Sequence, residues 1–295
     1  MGTHLVSPPV ADPLPLPAAA RRGREARLPA LVRAHPLVAF FVLAYGISWG
    51  ILLVLYGQMH ASAQVVILVQ TLGPTVAARI VLTAVGGDPA YREMRRGGRM
   101  WRVGVRWYLV AMLGLPAACL VAVAVLPGGV DALRGAAPAA LAGTFLFYLV
   151  FGFFSGPLFE EPGWRGFALP RLEQARGPIV GTLVLGALWG CWHLPQFLVP
   201  EWAAQNGGAD PGTIAAFLVL VMALSPLLTW VYNRTGSLWM AMVTHSGINA
   251  SLSIVPATDV APMVVGIVAF GSIAVALLIA TRGTLGYEPR GGVHP

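Results

Sequence analysis

Apolar stretches of about twenty residues recur along the chain, at roughly 36–57, 63–84, 107–126, 139–159, 178–199, 212–232, 237–256 and 261–280. Short polar segments separate them. Each is long enough to cross the hydrocarbon core of a bilayer, and lipid tolerates no unpaired backbone, so each is expected to be a helix. The pattern predicts an all-α, polytopic transmembrane helix bundle of about eight spans occupying 36–280. It is flanked by an Arg- and Pro-rich tail at 1–35, read as a disordered cytosolic segment, and by a second tail at 281–295. The first tail is too long and too proline-broken for the start of a secretory signal, so the first apolar run is read as uncleaved.

Composition strengthens this picture. Hydrophobic residues make up 57% of the 295 and charged residues 11%, against about 25% charged in an ordinary soluble domain. The polar shell of a soluble protein is therefore missing. The chain has no lysine, and all 19 of its basic residues are arginines, which give a formal charge of +7. In a membrane protein such an excess points to cytosolic loops rather than to nucleic acid. With the N-terminus inside, the inner loops and tail hold Arg92, Arg95, Arg96, Arg99, Arg102, Arg106, Arg165, Arg171, Arg176, Arg234, Arg282 and Arg290, while the opposite loops hold only Arg134. Both termini are thus expected in the cytosol. The Ala, Gly and Pro bias accompanying the arginines suggests a bacterial cytoplasmic membrane. Cys119 and Cys191 lie in apolar stretches and suggest neither a disulfide nor a CxxC metal pair. Gly-x-x-x-Gly pairs such as Gly46 with Gly50, Gly152 with Gly156 and Gly186 with Gly190 offer close helix contacts.

Ionisable groups inside a bilayer are costly, about 2.5–3.5 kcal/mol each at mid-membrane on insertion scales, so their placement is informative. Three segments stand out: Phe159-Glu160-Glu161-Pro162-Gly163-Trp164-Arg165-Gly166, Trp189-Gly190-Cys191-Trp192-His193-Leu194-Pro195, and His245-Ser246-Gly247-Ile248-Asn249. Glu161 with Arg165, Trp189 with His193 and His245 with Asn249 are each four residues apart, hence on one helix face. Pro162 disfavours helix at Glu161, so a kink or restart is expected there. Taken singly, each group has a plain structural reading as interfacial charge, packing histidine or helix glue. Their joint occurrence argues for a shared site.

At these segments the chain resembles the CPBP family of intramembrane proteases, also called the CAAX-protease or Abi family, which includes the type II CAAX prenyl endopeptidase. That family carries Glu-Glu-x-x-x-Arg, then Phe-x-x-x-His, then His-x-x-x-Asn or His-x-x-x-Asp on successive helices. Glu160, Glu161 and Arg165 match the first, His193 the second with Trp189 in place of phenylalanine, and His245 and Asn249 the third. The resemblance covers roughly residues 140–255. It implies an intramembrane endopeptidase, with a site among the helices open toward the cytosol, acting on lipidated or membrane-embedded peptides and proteins. In that reading Glu160 activates a water, His193 positions water or substrate, His245 and Asn249 stabilise the oxyanion, and Glu161, Arg165 and Trp189 support the site. Glu160, His193 and His245 are also the ligand types of a two-His, one-carboxylate zinc site, although the HExxH helix of common zinc peptidases is absent. Ligand chemistry permits Zn2+ without requiring it. Two other readings of the intramembrane Glu and His groups are a non-catalytic immunity or scaffold protein of the same fold and a proton-coupled transporter.

Overall fold

The computed structural model describes residues 30–85, 87–256 and 261–288, and every regular element among them is helical. In chain order the main helices are α1 (Pro36–Gln58), α2 (Ala63–Val85), the amphipathic α3 (Gly87–Gly98), α4 (Val105–Val125), α5 (Pro138–Ser155), α6 (Pro157–Gly163), α7 (Leu169–Arg176), α8 (Pro178–Leu198), α9 (Pro211–Thr235), α10 (Leu238–Ser253) and α11 (Pro262–Ala280). Seven of them, α1, α2, α4, α5, α8, α9 and α11, are long and apolar enough to cross a membrane. The protein is an integral, multi-pass membrane protein. The eighth apolar stretch folds as α10, which at 16 residues is shorter than the other seven and is buried along most of its length. Most of its apolar side chains meet other helices.

Local sequence sets the helix starts. Proline opens α1, α5, α6, α8, α9 and α11, where its missing N–H costs nothing because the first turn has no intrahelical acceptor. Asp210 caps α9 by accepting from the Gly212 and Thr213 amides, and the Ser237 hydroxyl caps α10 by accepting from the Met240 amide. Between these two helices Gly236 sits in the left-handed region at φ 63°, which lets α9 turn directly into α10.

The bundle is built around α10, which packs on α4, α5, α6 and α9. Helix α6 is wedged between α10 and α2, while α8 lies along α9. Gly186 and Gly190 serve that last contact: a Cβ on either would come within 2.6 Å of Ser225 Oγ or 3.0 Å of Leu218 Cδ2. Gly46 and Gly50 have nothing within 4 Å, so this pair makes no close contact.

Residues 1–29 and 289–295 lie outside the described residues, and most of the two expected tails with them. The inner part of each tail has defined structure, although the first tail was expected to be disordered. Ala30–Ala34 is helical and Arg33 Nε donates to the Ala84 carbonyl at the end of α2. After α11 the chain turns back and buries Leu285, whose carbonyl accepts from Asn233.

The same asparagine donates to Glu173 Oε1 at 2.7 Å. Glu173 is on α7, outside the spans, and burial pushes its pKa up to about 7. A carboxyl whose folded pKa is raised favours the folded state when protonated, so its contribution is complete below the ordinary carboxylate pKa and is lost as pH rises through about 7. Thermal unfolding in detergent should therefore show stability falling across that window, with the fall reduced in Glu173→Gln. Equal pH slopes in the two proteins would remove Glu173 from the account.

Candidate active site

The site begins at a break in the chain. Helix α5 ends at Ser155, Gly156 adopts φ −166° and ψ −69°, and α6 restarts with Pro157 at its first position. The restart at Pro157 thus falls five residues before Pro162, the point at which the sequence predicts it. Pro162 lies inside α6, and the helix widens into a π turn over Trp164–Ala168 just after it. The Thr75 hydroxyl of α2 donates to the Phe159 carbonyl beside the glutamates. Gly163 lets α2 come this close, since a Cβ there would sit 2.5 Å from Pro74 Cβ.

The restart places Glu160 and Glu161 in different surroundings. Glu161 Oε1 accepts from Arg165 Nη1 at 2.9 Å and from His245 Nδ1 at 2.8 Å, so α6 and α10 are joined through one oxygen. Glu161 and Arg165 are both fully buried. The Arg165 guanidinium lies 4.5 Å from the centre of the Trp189 ring, a cation–π contact that gives the buried charge a second partner. His245 meets the same indole edge-on, with ring centres 5.1 Å apart.

Trp189 does more than wall the pocket. Its Nε1–H donates to Glu160 Oε2 at 3.0 Å, and its backbone carbonyl lies 2.8 Å from His193 Nδ1. A carbonyl can only accept, so Nδ1 carries the proton and the neutral His193 ring keeps a lone pair at Nε2. The other Glu160 oxygen, Oε1, lies beside Gly156, where a Cβ would approach to 2.8 Å.

Glu160, Trp189, His193, His245 and Asn249 all line one cavity of about 650 Å3. Glu161 and Arg165 stand behind this lining. Gln196 and Trp202 also line it and were not singled out from sequence. Gln196 carries a legible signal, a buried polar side chain three residues after His193 in an apolar stretch. Trp202, whose ring stacks on His193 at 6.4 Å, belongs to a short helix outside the spans and carries none. As a zinc site the constellation does not fit: among the described residues no three His, Cys, Asp or Glu side chains converge closely enough to hold a metal ion. Glu160, His193 and His245 share the cavity without forming a ligand set.

The cavity lining extends to Gln205, Asn206, Val255, Ala261 and Pro262, where α10 ends and α11 begins. This is the end of the bundle away from the arginines.

Residues 140–251 match the family described as type II CAAX prenyl endopeptidase Rce1-like. This core is similar to that family. A CAAX prenyl protease 2 from Methanococcus maripaludis is 25% identical over 105 residues, which are 34% of this chain. The chain spans 38% of that relative's length. The Rce1-like core runs from α5 to α10 and so contains every residue of the buried cluster.

Removing one partner of a buried ion pair strands the other charge, at a cost of about 3–5 kcal/mol. Arg165→Ala should therefore lower detergent stability by that order, measured by chemical or thermal unfolding. A change below about 1 kcal/mol, the range of exposed pairs, would contradict the buried pairing.

Proposed function

We propose that this protein is a membrane-embedded endopeptidase that hydrolyses lipidated or membrane-embedded peptides and proteins with a water activated by Glu160. The observation that carries the reading is the meeting of Glu160, His193 and His245 in one cavity surrounded by spanning helices. The cavity also has apolar walls from α9 and α11, including Phe217, Leu220, Leu224 and Met263, suited to an aliphatic chain or an apolar peptide segment. The match of residues 140–251 to the Rce1-like family supports a CAAX-type protease.

The chemistry follows from the placement of the groups. Glu160 takes a proton from water while the water oxygen bonds to the peptide carbonyl carbon. His193, with Nδ1–H held by the Trp189 carbonyl, offers the Nε2 lone pair to the second proton of that water and fixes its position. Asn249 Nδ2–H, and His245 Nε2–H when the ring carries both protons, donate to the oxygen on which negative charge develops. When the intermediate collapses the C–N bond breaks, and the proton held by Glu160 passes to the leaving amine. Glu161 and Arg165 hold His245 in place. The Trp189 N–H fixes Glu160 Oε2, leaving Oε1 to work as the base; it is a positioning residue.

Purified protein in detergent should cut a farnesylated or hydrophobic reporter peptide. Glu160→Gln should lose about a hundredfold or more in kcat, the scale of a positioned general base. His193→Ala should also be impaired, and a chelator should leave the rate unchanged because the three candidate ligands do not converge. Equal turnover in wild type, Glu160→Gln and His193→Ala would discard the proposal.

Trp189→Phe keeps the ring and removes only its donor. Loss of a hydrogen bond to a charged group is worth about 1.5–3 kcal/mol, or roughly ten- to hundredfold. The loss should appear in kcat with KM and unfolding temperature little changed. Full activity in Trp189→Phe would show that the bond to Glu160 is idle.

A further inference from the structure

The helix that brings His193 to the cavity tightens immediately beyond it. Over Leu194–Leu198 the last turn of α8 is a 3-10 helix, in which residues three apart stand one above the other. Gln196 follows His193 by three, and its backbone N–H donates to the His193 carbonyl at 2.9 Å, so the two residues share one side of the turn. Phe197 packs that turn against Trp202 and Phe217, with ring centres 4.7 and 5.4 Å away, and the Trp49 indole donates to the Trp192 carbonyl just before it. Packing thus fixes the position of Gln196.

Gln196 lines the cavity and is only 3% exposed, yet its side-chain amide makes no hydrogen bond among the described residues. Other polar residues of the lining are satisfied internally. The Thr71, Ser155 and Ser253 hydroxyls donate to the carbonyls of Leu68, Gly152 and Asn249, and the Asn206 amide donates to that of Trp202. A buried amide without a partner is costly, so the partner of Gln196 is sought in what enters the cavity. A peptide lying against Phe217, Leu220 and Met263 has the complementary need, because its backbone N–H and C=O leave water and meet hydrocarbon. A carboxamide presents both an acceptor and a donor, the counterpart of a peptide group. We propose that Gln196 binds the substrate backbone, with Oε1 accepting from the N–H and Nε2–H donating to the C=O of one extended substrate residue near the bond that Glu160 and His193 address. The inference rests on the peptidase reading for its ligand, a peptide, and gives the site a recognition element that is indifferent to substrate side chains.

Two variants of the full chain test it. Gln196→Met keeps the length and removes the amide, while Gln196→Asn keeps the amide and draws it back by one methylene. Binding of a fluorescent hydrophobic reporter peptide to purified protein in detergent is measured by anisotropy, with Glu160→Gln present throughout to prevent turnover. Analogues of the same peptide with single amide-to-ester replacements remove its N–H groups one at a time. Kd should rise about tenfold in both variants, the effect of leaving a buried polar group unpaired. One ester should cost a similar factor with Gln196 present and nothing further in Gln196→Met. Unchanged Kd in both variants, or ester penalties equal with and without Gln196, overturns the inference. The unfolding temperature of Gln196→Met should not fall, since the amide bonds to nothing in the protein, and a marked fall would overturn the inference by showing a structural role. With Glu160 restored, KM for cleavage of the reporter should rise by the same factor in Gln196→Met with kcat little changed. A fall in kcat alone would place Gln196 in the chemical step and overturn its binding role. Gln196-dependent binding without any cleavage would uphold the inference and refute the peptidase, cleavage with a KM indifferent to Gln196 would do the reverse, and absence of both binding and cleavage would overturn the two together.

Discussion

A carboxylate and a guanidinium with no access to water must neutralise each other, and in this protein that requirement holds the bundle together. Glu161 and Arg165 are four residues apart on the turn that follows the Gly156 break, and each is fully buried. The Coulomb energy of such a pair offsets its desolvation only when geometry is good and the remaining polar atoms are engaged. His245 from α10 and the Trp189 ring from α8 engage part of the pair, and Glu161 Oε2, Arg165 Nε and Arg165 Nη2 stay without a hydrogen-bond partner. Three helices distant in sequence therefore meet at one charge pair. The reactive groups are placed by that meeting.

The two adjacent glutamates divide the work. Glu161, turned inward, accepts from Arg165 and His245 through Oε1, while its Oε2 has no hydrogen-bond partner. Glu160, one residue earlier, projects to the cavity with one oxygen held by an indole N–H. Trp189 touches Glu160, His193, His245 and Arg165 through four different features: its N–H, its backbone carbonyl, its ring edge contact and its ring face. A phenylalanine at this position would keep two of these and the backbone carbonyl, but could not hold the carboxylate.

Much of this was legible from residues alone. The apolar runs located the helices, because hydrocarbon leaves the backbone no alternative. The spacing of Glu161 with Arg165 anticipated the ion pair, since the helix continues through Pro162. The position of the break was not legible. Pro162 looked like the disruptive residue, yet a proline near a helix start costs little, and the glycine preceding Pro157 could adopt the dihedrals of a restart. Helix α10 was read as a span of about twenty residues and is 16 residues long and mostly buried, because burial by protein and burial by lipid select the same apolar residues. The structure of the inner tails and the contribution of Trp202 depend on contacts between distant segments. No local pattern encodes them.

The central claim is that Glu160 activates water and forms no covalent bond to the substrate. A single turnover in heavy-oxygen water, followed by mass spectrometry of both product and enzyme, tests it directly. General-base attack by water puts the heavy atom in the new carboxylate of the cleaved peptide and none in Glu160. Heavy oxygen recovered in the Glu160 carboxylate would mean that the side chain itself attacked, and would contradict the account.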